Sequence, residues 1–430
     1  MEMKNVKGTK DYLPEEQVLR NKIKRACEDT FERYGCKPLE TPTLNMYELM
    51  AYKYGGGDEI LKEIYTLQDQ GKRELALRYD LTIPFAKVVA MNPNIRLPFK
   101  RYEIGKVFRD GPIKQGRFRE FIQCDVDIVG VESVIAEAEL MGMAFELFRT
   151  LNLDVQIQYN NRKLLTGILE SINIPTELTN DVILSLDKIE KIGIDGIRKD
   201  LQNRGIIEET VDIICDTVQS CIEFDIADFE KAFNNTLVTN GVNELQQLQQ
   251  YLLALGIKES TIFNPFLARG LTMYTGTIYE IFLKDGSITS SIGSGGRYDN
   301  IIGAFRGDNM SYPTVGISFG LDVIYTALQK QETMASTADI FIIPLGTELQ
   351  CLQIAQKLRA TTSLKVELEL SGRKLKRALN YANKENIPYV LIIGEEEITT
   401  EIVVLRNMKE GTEVKIPLSS LENSTFNNYI

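Results

Sequence analysis

The sequence predicts an α+β fold in which an antiparallel sheet is flanked by helices. Strand-like segments are gathered in two runs, residues 63–130 and 266–320, instead of alternating singly with helices. Segments with an apolar helical stripe border the first run, at residues 15–34 and 132–151. From residue 338 the pattern changes to alternating strands and helices, which predicts a separate α/β domain at residues 338–430.

The four-part organisation follows from where the pattern changes. Between the two strand runs, residues 161–260 are helical and polar, which predicts an inserted helical module. This gives a first part at residues 1–160, the insertion, a second part at residues 261–332 and the domain at residues 338–430. A chain of 430 residues has room for cores in each of these parts.

The composition narrows the function class. The net charge of −11 argues against indiscriminate binding of nucleic acid but leaves local basic patches open. Six cysteines without a CxxC pair indicate neither a disulfide framework nor a zinc site. No apolar run approaches the ~18 residues of a membrane span and no leader is visible, so a cytoplasmic protein is expected.

The chain has neither histidine nor tryptophan. Any mechanism must therefore work without an imidazole of its own, which excludes Ser-His and Cys-His nucleophile systems and His-ligated metals. The chemistry must depend on carboxylates, Arg, Lys, Tyr and the backbone.

Polar side chains lie along segments that otherwise have the pattern of strands. In residues 120–130, Gln123, Asp125 and Asp127 alternate with apolar residues and so share one face. The same reasoning predicts that Asp80 and Thr82 share a strand face. Each cluster alone fits a solvent-exposed face of an antiparallel sheet. Together, with arginines near glycines, they predict a concave site for an anionic, phosphate-bearing ligand; the arginines are Arg109, Arg117, Arg119 and Arg269.

Six motifs in this order resemble the histidyl-tRNA synthetases over essentially the whole chain. They are KGTKDYLP, LRYDLTIPFA, FRDGPIKQGRFREFIQCDVDIVG, ARGLTMYTGTIYE, GGRYD and PTVGISFGL. The resemblance implies a class II catalytic sheet, an insertion that contacts the tRNA acceptor region and a C-terminal anticodon-binding domain. It also implies a homodimer with PLETPT at its interface, and histidine, ATP with Mg²⁺, and tRNA-His as ligands.

The implied reaction joins histidine to ATP, releases pyrophosphate and transfers the histidyl group to the 3′ end of tRNA-His. Arg109 matches the family arginine that holds the ATP α-phosphate and the substrate carboxylate, and Arg117 matches a loop arginine on the distal phosphates. Arg269 matches the arginine beside the α-phosphate. Together with Gln123, Arg109 and Arg269 are the residues that the resemblance places in catalysis.

The resemblance also assigns the histidine pocket. Asp80, Thr82 and Gln123 match the positions that receive the α-ammonium, where a buried cation needs an acidic partner. Asp127 and Tyr274 match the pair that brackets the imidazole. Polar partners for both ring nitrogens would reject apolar isosteres of histidine, because those would leave buried polar groups unpaired.

Three further positions complete this assignment. Tyr298 of GGRYD supports the imidazole pair, whereas Asp125 has no role in the resemblance and is expected to make a structural hydrogen bond. The glycines around GSGGRYD do not form a dinucleotide fingerprint, because GxGxxG spacing and a strand-to-helix context are absent. No protein-only metal cage is visible, so Mg²⁺ is expected to arrive with ATP.

Two departures from the family pattern leave alternatives open. Val323 occupies the position of an ATP-contacting arginine, and Thr272 with Met273 replaces an acidic or amide residue and an aromatic. These changes question ATP affinity. One alternative is a paralogue that binds histidine without charging tRNA, like the regulatory subunit of ATP phosphoribosyltransferase. Another is a catalytically impaired regulator that binds tRNA.

Overall fold

The computed structural model describes residues 2–52, 60–113, 116–268, 273–308, 310–329 and 336–422. Within them the chain divides into two compact units. One consists of Met1–Lys10 with Ile23–Leu328, and the other of Asp11–Lys22 with Gln329–Ile430.

The elements before the helical segment are, in chain order, α1 (Pro14–Arg33), β1 (Lys37–Pro38), β2 (Leu44–Met46), α2 (Tyr47–Met50), β3 (Thr66–Gln68), β4 (Glu74–Leu77), α3 (Thr82–Met91), β5 (Phe99–Phe108), β6 (Glu120–Val129), α4 (Ile135–Thr150) and β7 (Val155–Asn161). The helical segment contains α5 (Arg162–Ser171), α6 (Thr176–Leu186), α7 (Ile189–Asn203), α8 (Glu208–Cys221), α9 (Ile226–Ala232) and α10 (Thr236–Ala254). The elements that follow are β8 (Thr261–Phe263), β9 (Thr277–Leu283), β10 (Gly293–Arg297), α11 (Ile301–Arg306), β11 (Thr314–Gly320) and α12 (Leu321–Gln329).

An eight-stranded sheet organises the first unit, in the order β1-β5-β6-β11-β10-β9-β7-β8. Its six inner strands pair antiparallel, and only the short edge strands β1 and β8 pair parallel with their neighbours. Strands β2, β4 and β3 form a second, three-stranded sheet. The predicted α+β class with an antiparallel sheet flanked by helices is confirmed.

One face of β6 belongs to the hydrophobic core. Cys124, Val126 and Ile128 are buried on this face. Opposite Cys124 on β11, Phe319 stacks on Phe31 of α1 with ring centroids 5.9 Å apart. The alternation of strand side chains then places the polar residues of β6 on the other face. The apolar half of the pattern thus fixes the orientation of the strand.

Strand β7 was missed by the sequence analysis. Its sequence, VQIQYNN, alternates apolar and amide side chains. The strand continues directly into α5, and no turn residues separate the two elements in the sequence. In the structure it pairs with β9 over seven residues and with β8. Strand β7 therefore attaches the start of the helical segment to the main sheet, and β8, which pairs with β7, attaches its end.

The second unit has its own sheet, ordered β13-β12-β14-β15-β16. Its elements are β12 (Ile340–Leu345), α13 (Glu348–Thr361), β13 (Val366–Leu368), α14 (Leu375–Lys384), β14 (Tyr389–Gly394), α15 (Glu395–Thr400), β15 (Ile402–Asn407) and β16 (Glu413–Pro417). The first three strands in this order are parallel, and the last two join antiparallel. Separate apolar clusters cover its two faces, which explains the nearly continuous apolar run in β12. Among the described residues of the whole chain, no helix is long and apolar enough to cross a membrane.

Candidate active site

The polar face of β6 lies in the middle of the large sheet and forms cross-strand rows with β5 and β11. Asp127 is opposite Arg101 on β5 and Gly316 on β11. In the next row, Asp125 is opposite Glu103 and Ser318. Gln123 is opposite Gly105 and Gly320. Directly opposite residues share a face, so these rows bring the polar residues together.

The first row contains a buried ion pair. Arg101 is fully buried, and its Nη2 lies 2.6 Å from Asp127 Oδ2. Its guanidinium also donates to the Leu81 carbonyl at 3.0 Å and lies 4.4 Å from the centroid of the Phe85 ring. The Tyr298 hydroxyl donates to the other oxygen of Asp127. Burial raises the pKa of Asp127, while Arg101 and Tyr298 counteract that rise.

The second row contains two further buried carboxyl groups. Glu103 accepts from Arg78 Nη1 at 2.7 Å and from the backbone N–H of Thr41 at 3.0 Å. Asp125 lies directly opposite Ser318 on β11, and burial raises its pKa to about 8. The expectation of a structural hydrogen bond for Asp125 stays a prediction. The charge of Arg101 lowers this pKa, and the neighbouring carboxylates of Asp127 and Asp80 raise it.

Asp80 and Thr82 do not share a strand face, so that prediction was wrong. Strand β4 ends at Leu77, and Thr82 is the first residue of α3. The Asp80 carboxylate accepts from the Ile83 N–H at 3.1 Å and satisfies a donor in the first helical turn. Burial raises the pKa of Asp80 to about 6, and Arg109, Asp127 and Arg101 all interact with its charge. The two residues therefore lie at the start of a helix that borders the site, and not on a strand.

Arg109 follows β5 directly and lies at the open end of these rows. Its Nε donates to the Tyr79 carbonyl at 3.0 Å, and its guanidinium lies 5.3 Å from the Phe121 ring centroid. Burial lowers its pKa, and the charge of the exposed Arg117 lowers it further. Two cations close enough to repel each other are suited to an anionic ligand.

The structure describes some of the remaining predicted residues and not others. Tyr274 is buried and packs against β10, where a Cβ added to Gly296 would lie 2.8 Å from its ring. Arg269 and Thr272 lie outside the described residues. Val323, at the start of α12, borders Gly116, and the neighbouring Asp322 accepts from a backbone N–H of β6 at 2.9 Å.

Five buried side-chain atoms without a hydrogen-bond partner cluster on β5 and β6. They are Arg101 Nε and Nη1, Gln123 Oε1, Asp125 Oδ1 and Asp127 Oδ2. Two of them still have an ion-pair neighbour, Asp127 Oδ2 at 2.6 Å from Arg101 Nη2 and Arg101 Nη1 at 3.8 Å from Glu103. In the described part of the chain only three other such atoms occur, on Asn160, Thr277 and Arg406. Because unpaired buried polar atoms are costly, a cluster of donors and acceptors indicates a site for a polar ligand.

Arg101 was missed in the sequence, where alternation was applied to β6 and to residues 80–82 but not to β5. The same alternation on β5 places Arg101 and Glu103 on one face, and pairing of consecutive antiparallel strands would have set them opposite Asp127 and Asp125. That signal was present in RYE. The register of the two strands therefore decides which of their polar residues lie together in one site.

Gly316 is required by the close approach of Asp127. A Cβ at this position would lie 2.0 Å from Asp127 Oδ1. We expect Gly316→Ala to displace the carboxylate and to lower, on the order of 100-fold, the histidine-dependent ATP–pyrophosphate exchange that the family resemblance implies. Gly142→Ala, on α4, is the matched control, since its Cβ would make only an ordinary 3.4 Å contact. Equal exchange rates for the two variants would contradict this reading of the site.

Similar proteins share the whole of this architecture. Residues 8–324 match the family model described as Histidyl-tRNA synthetase, and residues 339–424 match the one described as Anticodon binding domain. The histidine–tRNA ligase 1 of Bacillus cereus is 88% identical over 429 residues, which cover 100% of this chain and 98% of that protein. The histidine–tRNA ligase 2 of Shouchella clausii is 52% identical, with 96% and 98% covered.

A solved structure of a histidyl-tRNA synthetase from Nostoc has the same fold. It aligns with a TM-score of 0.86 at 29% sequence identity and covers 100% of both chains. The family model spans the large sheet, the helical segment and every described residue of the polar rows, so the match includes the site as well as the scaffold. The chain therefore belongs to the histidyl-tRNA synthetase family.

Proposed function

We propose that this chain is a histidine–tRNA ligase that activates histidine with ATP and transfers it to the 3′ end of tRNA-His. The observation that carries this proposal is the cluster of unpaired buried donors and acceptors on β5 and β6. A free amino acid with an ammonium group and an imidazole offers partners for both kinds of atom. Relatives that are 87–88% identical bear the name histidine–tRNA ligase 1.

The histidine is assigned to the polar rows of the sheet. Its imidazole lies between Asp127 and Tyr274, with Tyr298 and Arg101 holding the Asp127 carboxylate in place. Its α-ammonium lies toward Asp80, Thr82 and Gln123. Asp80, just before α3, supplies the negative charge that a buried cation needs.

ATP is assigned to the end of the rows where Arg109 and Arg117 meet. The substrate carboxylate is itself the nucleophile, so the protein needs no base, and alignment with neutralisation of phosphate charge suffices. Arg109 holds the α-phosphate, Arg117 the distal phosphates, and Arg269 the developing charge. Mg²⁺ is assigned to the phosphate oxygens of ATP, because this ion is commonly bound through substrate phosphates.

The tRNA is assigned to two parts of the chain. We keep the four-part division, with residues 1–160 and 261–332 as the catalytic parts, residues 161–260 at the acceptor end, and residues 338–430 at the anticodon. A cavity of about 780 Å³ in the second unit supports the last assignment. Basic and aromatic side chains of the kind that bind unpaired RNA bases line it, namely Arg359, Lys365, Arg373 and Tyr381, together with the acidic Glu367. Arg373 is also paired with Glu369 at 2.6 Å.

The proposal extends to the assembly and the location of the protein. A homodimer with PLETPT at its interface and a cytoplasmic location, where translation consumes charged tRNA, are part of the proposal. The regulatory-subunit alternative is not supported, because the chain has an anticodon-binding match and its 87–88% identical relatives are named as ligases. One solved structure described as such a regulatory subunit or synthetase is 20% identical and shares the fold.

The test is ATP–pyrophosphate exchange followed by charging. Purified protein with ATP, Mg²⁺ and histidine should exchange pyrophosphate, and exchange should cease when histidine is omitted. It should then acylate tRNA-His and not a tRNA of another specificity. Exchange without charging would indicate an enzyme that only makes adenylate, and no exchange at saturating substrates would leave a tRNA-binding regulator.

A further inference from the structure

Asn160, on β7, lies in the same cross-strand row as Asp127, although three strands separate β7 from β6. It is directly opposite Ile278 on β9. The row continues through Gly296 and Gly316 to Asp127. Directly opposite residues point to the same face of a sheet. The Asn160 side chain therefore lies on the face that carries the polar rows of the proposed histidine pocket.

The Asn160 amide holds the segment 264–267 on this face. Asn160 is fully buried, and its Nδ2 donates to the carbonyl oxygens of Pro265 at 2.8 Å and Leu267 at 2.9 Å. These two bonds use both hydrogens of the NH₂ group. Its Oδ1 is buried without a hydrogen-bond partner among the described residues. The reversed orientation would set this oxygen against the two carbonyl oxygens, so the contact with the segment determines how the amide is turned.

Asn264 attaches the start of the same segment to β7. Its backbone N–H donates to the Tyr159 carbonyl at 3.0 Å, and its Nδ2 donates to Gln158 Oε1 at 2.8 Å. Its Oδ1 accepts from the N–H groups of Phe266 and Leu267, both at 3.1 Å. The segment is therefore bound to β7 through its backbone as well as through side chains.

The segment 264–267 ends two residues before Arg269, to which the proposed function assigns the charge that develops at the α-phosphate. Beyond Arg269, Tyr274 packs against Gly296, which belongs to the same cross-strand row. The described residues on both sides of Arg269 are thus fixed to the polar face of the sheet. Asn160 provides the first of these two fixed points.

We propose that Asn160 is a positioning residue for the activation of histidine, which acts by fixing the segment 264–267 and thereby the point from which the chain continues to Arg269. This inference rests on the proposed function and gives a role to a residue of β7 that lies outside the six sequence motifs. A displacement of about 1 Å in a group that stabilises a transition state can lower the rate on the order of 100-fold. Asn160 does not touch the substrates in this account.

Asn160→Leu tests the inference, because leucine is close to asparagine in shape but has no hydrogen-bonding group. We expect the maximal rate of histidine-dependent ATP–pyrophosphate exchange to fall about 10- to 100-fold. The KM for histidine should stay within about threefold, because Gln123 and Asp127 lie on β6 and keep their contacts. Asn92→Ala is the matched control. It also removes an Nδ2 bond to a carbonyl oxygen, that of Val88 at 2.7 Å, but at the exposed end of α3, and it should retain the wild-type rate.

A double-mutant cycle with Arg269→Ala separates positioning from a general structural effect. If Asn160 acts through Arg269, Asn160→Leu should lower the exchange rate by less than about twofold in a protein that already carries Arg269→Ala. A general loss of structure would lower the rate by the same factor in both backgrounds. Thermal unfolding followed by circular dichroism shows whether each variant is folded at the assay temperature.

Four results would overturn the inference. They are a wild-type exchange rate in Asn160→Leu, a rise in the KM for histidine as large as the fall in rate, equal factors in the two backgrounds of the cycle, and a wild-type rate in Arg269→Ala. If Asn160→Leu does not fold, Asn264→Ala loosens the same segment and should show the same fall and the same dependence on Arg269; a wild-type rate would then overturn the inference. Wild-type protein measured in the same series keeps the two proposals apart, because absent exchange there overturns the proposed function itself.

Discussion

Arg101→Met is expected to lower the free energy of unfolding by about 3–5 kcal/mol and to abolish histidine binding. The guanidinium is fully buried, pairs with Asp127 at 2.6 Å and lies 3.8 Å from Glu103. Removing it leaves the Asp127 carboxylate in the sheet interior without its cation, whereas Glu103 keeps its 2.7 Å ion pair with Arg78. Burial of an unpaired charge is among the most costly changes in a protein. Urea denaturation followed by circular dichroism measures the loss.

Two comparisons make this result specific. Arg73→Met removes an exposed arginine that also pairs with an aspartate, and it should change the free energy of unfolding by less than about 0.5 kcal/mol. Adding Asp127→Leu to Arg101→Met should recover about 1 kcal/mol or more, because the unpaired charge is removed as well. Equal free energies of unfolding for Arg101→Met and Arg73→Met would contradict the inference that the buried ion pair stabilises the site.

Arg109→Ala is expected to lower the rate of histidine-dependent exchange on the order of 10²- to 10³-fold, the size measured for loss of a preorganised donor to a developing charge. Its stability should change by less than about 1 kcal/mol, because the guanidinium contributes one hydrogen bond to the Tyr79 carbonyl. Steady-state exchange and thermal unfolding of the same preparation measure the two quantities.

The control for this variant is Arg96→Ala, at an exposed loop position of the same unit. It should retain the wild-type exchange rate. An Arg109→Ala enzyme that keeps more than about a tenth of the wild-type rate would remove Arg109 from the ATP site. Unfolding at a much lower temperature would instead assign it a structural role. The exchange rate and the unfolding temperature thus distinguish a catalytic role of Arg109 from a structural one.

The strands that could be predicted are those whose apolar residues pack on the core. On β6, Cys124, Val126 and Ile128 fixed the alternation, and the structure buries all three. Strand β7 also carries the period-2 pattern, and the structure buries Val155, Ile157 and Tyr159. The pattern was overlooked because its amide side chains resemble the polar helical segment that follows directly.

The site was predicted less completely than the fold, because register and hydrogen bonding decide its geometry. Alternation suggested one face for Asp80 and Thr82, but the Asp80 carboxylate binds a helical N–H and the chain turns into α3. Arg101 acquires its role only when β5 is set opposite β6. The roles of Gln123, Asp127, Tyr274 and Tyr298 stay predictions, as does that of Arg269, which lies outside the described residues.

Calorimetric titration of histidine into the wild-type protein and into Asp127→Asn, both without ATP, tests most directly whether the polar rows of the sheet form the histidine pocket. The wild type should bind one histidine per chain. Asp127→Asn should bind at least about 100-fold more weakly, since a site built for a polar ring rejects a partner that cannot complete its hydrogen bonds. Circular dichroism should confirm a folded variant. Equal dissociation constants for the two proteins would contradict the account and place the histidine elsewhere.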